Sequence, residues 1–184
     1  MGWLRIYADS NPSVIAWESR DSIAIAAKLG DMGVRFERWQ AAVVLPRNAD
    51  DSAVMAAYGH EIERLKSEEG YKSVDVLRVL PDNPKIPELR KKFLSEHTHA
   101  EDEVRFFVEG EGMFYLRIDG NVYMTLCERG DLIGVPDGVR HWFDTSAAPC
   151  FTAIRFFTNP DGWVAQYTGD EIADKFPKFE KAAA

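Results

Sequence analysis

The sequence predicts a mainly β domain with helices (α+β), its strands forming a sandwich or small barrel behind a helical N-terminal layer. Three observations carry this. From residue 103 onward, short β-rich runs are separated by glycine-bearing turns: "VRFFV", "MFYLRI", "VYMTL", "DLIGV" and "CFTAIRFF". Asp119-Gly120, between the second and third, is a two-residue hairpin signal. The stretches with helical spacing all lie earlier. The chain has 184 residues, 46% of them hydrophobic and 28% charged, enough to bury one substantial core. We therefore expect one domain over 1–184, with its barrel core at about 72–158.

Taken in order, "DSIAIAAKLG" reads as a helix capped by Asp21 or Ser22 and stopped by Gly30. "DDSAVMAAYGHEIERLKSEEG" reads as one longer helix, with Val54, Tyr58, Ile62 and Leu65 on one stripe and Gly70 at its end. "SVDVLRVLP" alternates like a strand, and "PELRKKFL" is a short helix after Pro87. The Asp119-Gly120 turn puts Phe114, Leu116 and Ile118 on the same face as Tyr123, Thr125 and Cys127, which buries Cys127. The segment from Gly162 to the end reads as a cap over the core, frayed at its last residues.

The net charge of −8 disfavours nucleic acid as a partner, because phosphate binding needs a clustered basic face. The opening residues lack the apolar core of a signal peptide, and position 6 is Ile where a myristoylation signal has Ser or Thr. The apolar run "AAVVLP" is too short to span a bilayer, so a cytoplasmic protein with no membrane partner is expected. Cys127 and Cys150 have no metal-ligand spacing and read as free thiols. No long amphipathic seam calls for a second copy, so the expected state is a monomer.

The chemistry concentrates in "HTHAEDEVRFFVEG", residues 97–110. Alternate residues of a strand point the same way, so His97 and His99 can present both imidazoles to one spot. Glu103 follows at an even spacing, and a barrel could bring His141, after the turn "GDLIGVPDGVRHW", beside them. Three neutral imidazoles and one carboxylate suit Fe, Ni, Mn or Zn, and on a six-coordinate ion they leave two positions open for a chelating substrate. His60, alone on its helix, reads as a surface histidine. Arg105 shares the inward parity of Glu103, and Arg155 is likewise a charge within an apolar strand; either could meet a bound anion, or face outward or pair with an acidic residue. Phe107, Phe143 and Trp163 could wall a site or simply fill core. Glu101 and Asp102 read as solvated loop or as supports for an imidazole.

"HTHAEDEVRFFVEG", ending its pattern at Gly110, is similar to the first cupin motif, and "GDLIGVPDGVRHWFDT" to the second, departing at Thr145 where cupins often place asparagine. More narrowly, "GVRFERW", the two motifs and "IRFFTNPDGWVAQYTGDEIADKFP" resemble the acireductone dioxygenase family of methionine salvage over most of the chain. The resemblance implies a cupin-type barrel with metal ligands at His97, His99, Glu103 and His141, and one Fe(II) or Ni(II) per chain. It also implies small-molecule partners, an acireductone and O2. With iron the family gives the keto acid precursor of methionine plus formate; with nickel it gives carbon monoxide, formate and methylthiopropionate. Another cupin dioxygenase or isomerase, or a non-catalytic cupin that binds a small molecule, are the alternative readings.

Overall fold

A computed structural model describes residues 2–40, 43–46, 48–159 and 164–180. The chain starts with a hairpin of β1 (Trp3–Ala8) and β2 (Asn11–Ser19), followed by α1 (Ser22–Gly30) and β3 (Arg35–Arg38). Two helices, α2 (Asp51–Ala57) and α3 (Gly59–Glu69), lead into β4 (Ser73–Val79) and then α4 (Ile86–Phe93). Eight strands complete it: β5 (His97–Thr98), β6 (Glu103–Glu109), β7 (Glu111–Ile118), β8 (Asn121–Glu128), β9 (Asp131–Val135), β10 (Arg140–Asp144), β11 (Phe151–Phe157) and β12 (Gln166–Tyr167). A short 3-10 turn at Ile172–Lys175 follows.

The strands form two antiparallel sheets, ordered β12-β5-β10-β7-β8-β1-β2 and β3-β9-β6-β11-β4. Their inward faces meet in a core that includes Phe107, Ile133 and Ala153 from one sheet and Phe114, Leu116, Tyr123, Cys127 and Phe143 from the other. A second core lies outside the five-stranded sheet, where Val54, Tyr58, Ile62 and Leu65 cover Phe106, Ile154 and Phe156. A third lies outside the seven-stranded sheet, where Ile172, Phe176 and Phe179 cover Tyr115, Met124 and Trp142. The C-terminal segment is therefore the cap that its composition suggests.

The two sheets also recruit β1, β2 and β3, so the barrel draws strands from well before residue 72 and the N-terminal part is more than a helical layer. The expected helix over 52–69 is broken at Tyr58, whose φ of −113° and ψ of 15° leave the helical range just before Gly59. The Tyr58 ring packs 4.6 Å from that of Phe106, and glycine is a weak helix former at the break. Gly70 does end α3 in the left-handed conformation. Gly30 is the last residue of α1, with Asp31 as its C-cap, while Asp21 accepts from the Ile23 amide at the other end. The Asp119-Gly120 turn has positive φ at both residues, as the I′ hairpin requires, and Phe114 pairs with Thr125 across it. Cys127 is fully buried and Cys150 partly so, both as free thiols. No described helix is long and apolar enough to cross a membrane.

Candidate metal centre

Backbone pairing assembles the centre. Strand β5 runs antiparallel to β10 with His97 directly opposite His141, so both side chains leave the sheet on the same side. Glu103 opens β6 in the facing sheet, opposite Val135 of β9. The loop between β5 and β6 is clamped at three points. His99 O accepts from the Gly138 amide at 2.9 Å, Asp102 Oδ1 from the Asp137 amide at 3.0 Å, and Glu101 Oε2 from the Asn159 amide at 3.0 Å. Glu101 and Asp102 thus fasten the ligand loop to its neighbours, a role neither of the two sequence readings anticipated.

His97, His99, Glu103 and His141 are all buried, and one ligand atom from each lies within 4.8 Å of every other. The ring centroids of the three histidines are 4.5 to 5.2 Å apart. Nδ1–H of His97 donates to Ser95 O at 2.7 Å and Nδ1–H of His141 to Val139 O at 2.8 Å, which turns each Nε2 toward the shared space. Burial, with the neighbouring His141 second, holds the His97 pKa down at about 4, so this imidazole is neutral near pH 7. Burial pushes Glu103 upward, but the adjacent Arg105 charge and the nearby His141 and His99 side chains outweigh it and keep the carboxyl well below its ordinary range.

The separations fit an ion. Two ligand atoms about 2.1 Å from one ion and at right angles lie roughly 3.0 Å apart. Here Glu103 Oε2 is 2.9 Å from His141 Nε2 and 3.3 Å from His99 Nε2. A neutral-imidazole and carboxylate set of this size suits a divalent ion that keeps open positions.

Arg105 is buried on the inward face, with Nη2 2.5 Å from Glu103 Oε1. The anionic partner that an inward arginine needs is thus supplied by the chain itself. Arg155 stands directly opposite Arg105, on β11. It is forked onto Asp75 of β4, with Nε 2.8 Å from Oδ1 and Nη2 2.6 Å from Oδ2, a quarter of its side chain exposed. Of its anticipated settings, the structure shows the pair with an acidic residue. Phe107 and Phe143 lie in the inward core, Trp163 falls outside the described residues, and His60 is exposed.

Three neighbours of the centre had no signal in the sequence. Phe93, brought in by α4, lies with its ring 5.9 Å from Arg105 Cζ. Tyr167 of β12 pairs opposite His97, with ring centroids 5.9 Å apart. Buried Glu96 accepts from Thr168 Oγ1 at 2.8 Å and faces Arg117 at 3.4 Å, tying β5 to the C-terminal segment.

Comparison with known proteins agrees with this arrangement. The ARD/ARD' family model matches residues 4–165. An acireductone dioxygenase of Parvibaculum lavamentivorans is 59% identical over 180 residues, 98% of each chain. One from Serratia proteamaculans is 56% identical over 98% of this chain and 100% of its own. A solved acireductone dioxygenase of Bacillus anthracis, with a cadmium ion in its active centre, superposes with a TM-score of 0.80 at 31% identity, covering 91% of this chain and 98% of its own. With this match along nearly its whole length, the chain belongs to the ARD/ARD' family.

Proposed function

We propose that the protein is a metal-dependent dioxygenase that cleaves an acireductone with O2 in methionine salvage, using His97, His99, Glu103 and His141 to hold one Fe(II) or Ni(II). The observation that carries this reading is the buried convergence of three imidazoles and one carboxylate, in a chain closely similar to enzymes of that name. When bound, the ion supplies Lewis acidity and a template for two substrate oxygens. Three neutral imidazoles and one carboxylate leave a divalent ion one net positive charge, which favours an enediolate over an enediol. The inward aromatic and aliphatic side chains keep bulk water away from the reacting carbons. Arg105 and Arg155 stand opposite each other on β6 and β11, already paired with Glu103 and Asp75, and we assign them to the reaction through their positive charge beside the centre. The balance needs no external reductant: substrate plus O2 equals keto acid plus formate, or carbon monoxide, formate and the shorter acid. In this reading the chain works in the cytoplasm as a one-domain monomer on a small molecule and O2.

The test is to load the protein separately with Fe(II) and Ni(II), add acireductone and O2, and identify products. The expected outcome is keto acid with formate from the iron form, and carbon monoxide from the nickel form alone. Absence of oxygen uptake with both metals would reject the proposal.

A further inference from the structure

Gly112 faces inward on β7, opposite Cys127. Its backbone is not left-handed, so conformational freedom is not the reason for glycine at this position. Space is the reason. A Cβ built there would run into Phe143 Cζ and lie 2.6 Å from Cε2, so the Phe143 ring occupies the notch that the missing side chain leaves.

The ring seated in that notch lies against a charge. Arg105 Cζ is 4.7 Å from the Phe143 centroid, 5.6 Å from that of Phe114 and 5.9 Å from that of Phe93. Phe114 and Phe143 pack at 4.7 Å, and Phe93 meets Phe143 edge-on at 6.2 Å. Three rings from β10, β7 and α4 thus surround one buried guanidinium. Ring quadrupoles make such contacts directional, and they are strongest where water is excluded. The guanidinium is held by the rings on one side and by Glu103 Oε1 on the other. Glu103 Oε2, its second oxygen, is the one that faces His141 and His99.

We propose that Phe143, seated in the Gly112 notch, is a positioning residue: its ring fixes Arg105, and Arg105 keeps Glu103 Oε1 out of the imidazole cluster so that Oε2 alone is offered there. The inference rests on reading the cluster as a metal centre. Carboxylates bind ions through one oxygen or two. A Glu103 free to turn would offer both and take up a position that a two-oxygen substrate needs. Holding it to one oxygen keeps that position open.

The experiment measures Ni2+ binding by calorimetry and the visible spectrum of the Co2+ form. The proteins are wild type, Phe143→Leu, Gly112→Ala and the double variant, each with a thermal melt. Wild type is expected to take up one Ni2+ per chain. Phe143→Leu should raise the Ni2+ Kd by about 10- to 100-fold, the usual effect of disturbing a group that orients a ligand, and should change the Co2+ bands. Gly112→Ala, which drives the ring from its notch, should do the same. In the double variant the clash is gone, so the melt should return to that of Phe143→Leu while affinity and spectrum stay altered. A folded Phe143→Leu with wild-type affinity and spectrum would overturn the relay; if that variant does not fold, Phe143→Met, which keeps the volume without the ring, takes its place under the same criterion. Wild type that binds no Ni2+ would overturn the metal centre itself, whereas wild type and variants binding alike overturns the relay alone.

Discussion

Glu103 divides its two oxygens between an arginine and two imidazoles, and its variants should separate these duties. Glu103→Gln keeps an acceptor for Arg105 while removing the anionic ligand. It should stay folded and lose metal content together with rate. Glu103→Ala also leaves the buried guanidinium without its counter-charge, which should cost about 3 kcal/mol of stability. Metal analysis and chemical denaturation of both proteins check this; unchanged metal content in either would remove Glu103 from the ligand set. At this scale the sequence was informative because strand parity is geometric. His97 and His99, two apart, leave the chain on one side, and Glu103 joins them because the loop after β5 carries the chain across to the facing sheet. Apart from Glu103, the partners of Arg105 and Arg155 were not legible, because Asp75, Phe93 and Phe114 reach them only through the packing of distant segments.

The turns differ in what they demand. Gly70, at the end of α3, has φ +75° with nothing within 4 Å of the place a Cβ would take, so Gly70→Ala meets only the backbone penalty, about 1 kcal/mol. Gly110, between β6 and β7, has φ +77°, and an added Cβ would run into Cys150 O and lie 2.7 Å from Phe151 Cα, both backbone atoms. Gly110→Ala should therefore cost about 3 kcal/mol or more. Urea denaturation of the two variants checks the contrast, and equal losses would contradict it. Element prediction succeeded where a local signal existed, as at Asp119-Gly120 and Gly70. It failed for β1, β2 and β3, which have no glycine-bounded alternation like that of the later strands. Strand β7 is buried without interruption from Gly112 to Leu116, since both faces of its sheet are covered, so strict alternation could not have marked it.

For the molecule as a whole, the buried His97 imidazole sets a pH limit on the metal-free fold. The His97 pKa is about 4 in the folded chain against an ordinary 6.5. As pH falls through 6.5 the unfolded chain takes up this proton while the folded chain does not, so the unfolded state binds more protons and stability falls. The contribution is complete above pH 6.5 and is lost progressively toward pH 4, by about 2 to 3 kcal/mol. Urea melts with chelator at pH 7 and pH 4.5 check it, and His97→Gln should lose less stability over the same interval than wild type. An equal loss in both would contradict the assignment. The chain's overall plan, strands of two sheets enclosing an apolar interior, was legible from the runs after residue 103; the two outer cores were not, because they depend on which segments fold back over the sheets.

Strand β5 has only two residues, and it is held between β10 and β12. His97 therefore has no settled place until residues 140–144 and 166–167 have both been synthesised. The His97–His99 pair thus precedes by about seventy residues the last strand that holds it, and the pocket cannot close on a partial chain that ends short of Tyr167. Closing the ion pocket is therefore coupled to the docking of the C-terminal segment, and not to the ligand loop alone.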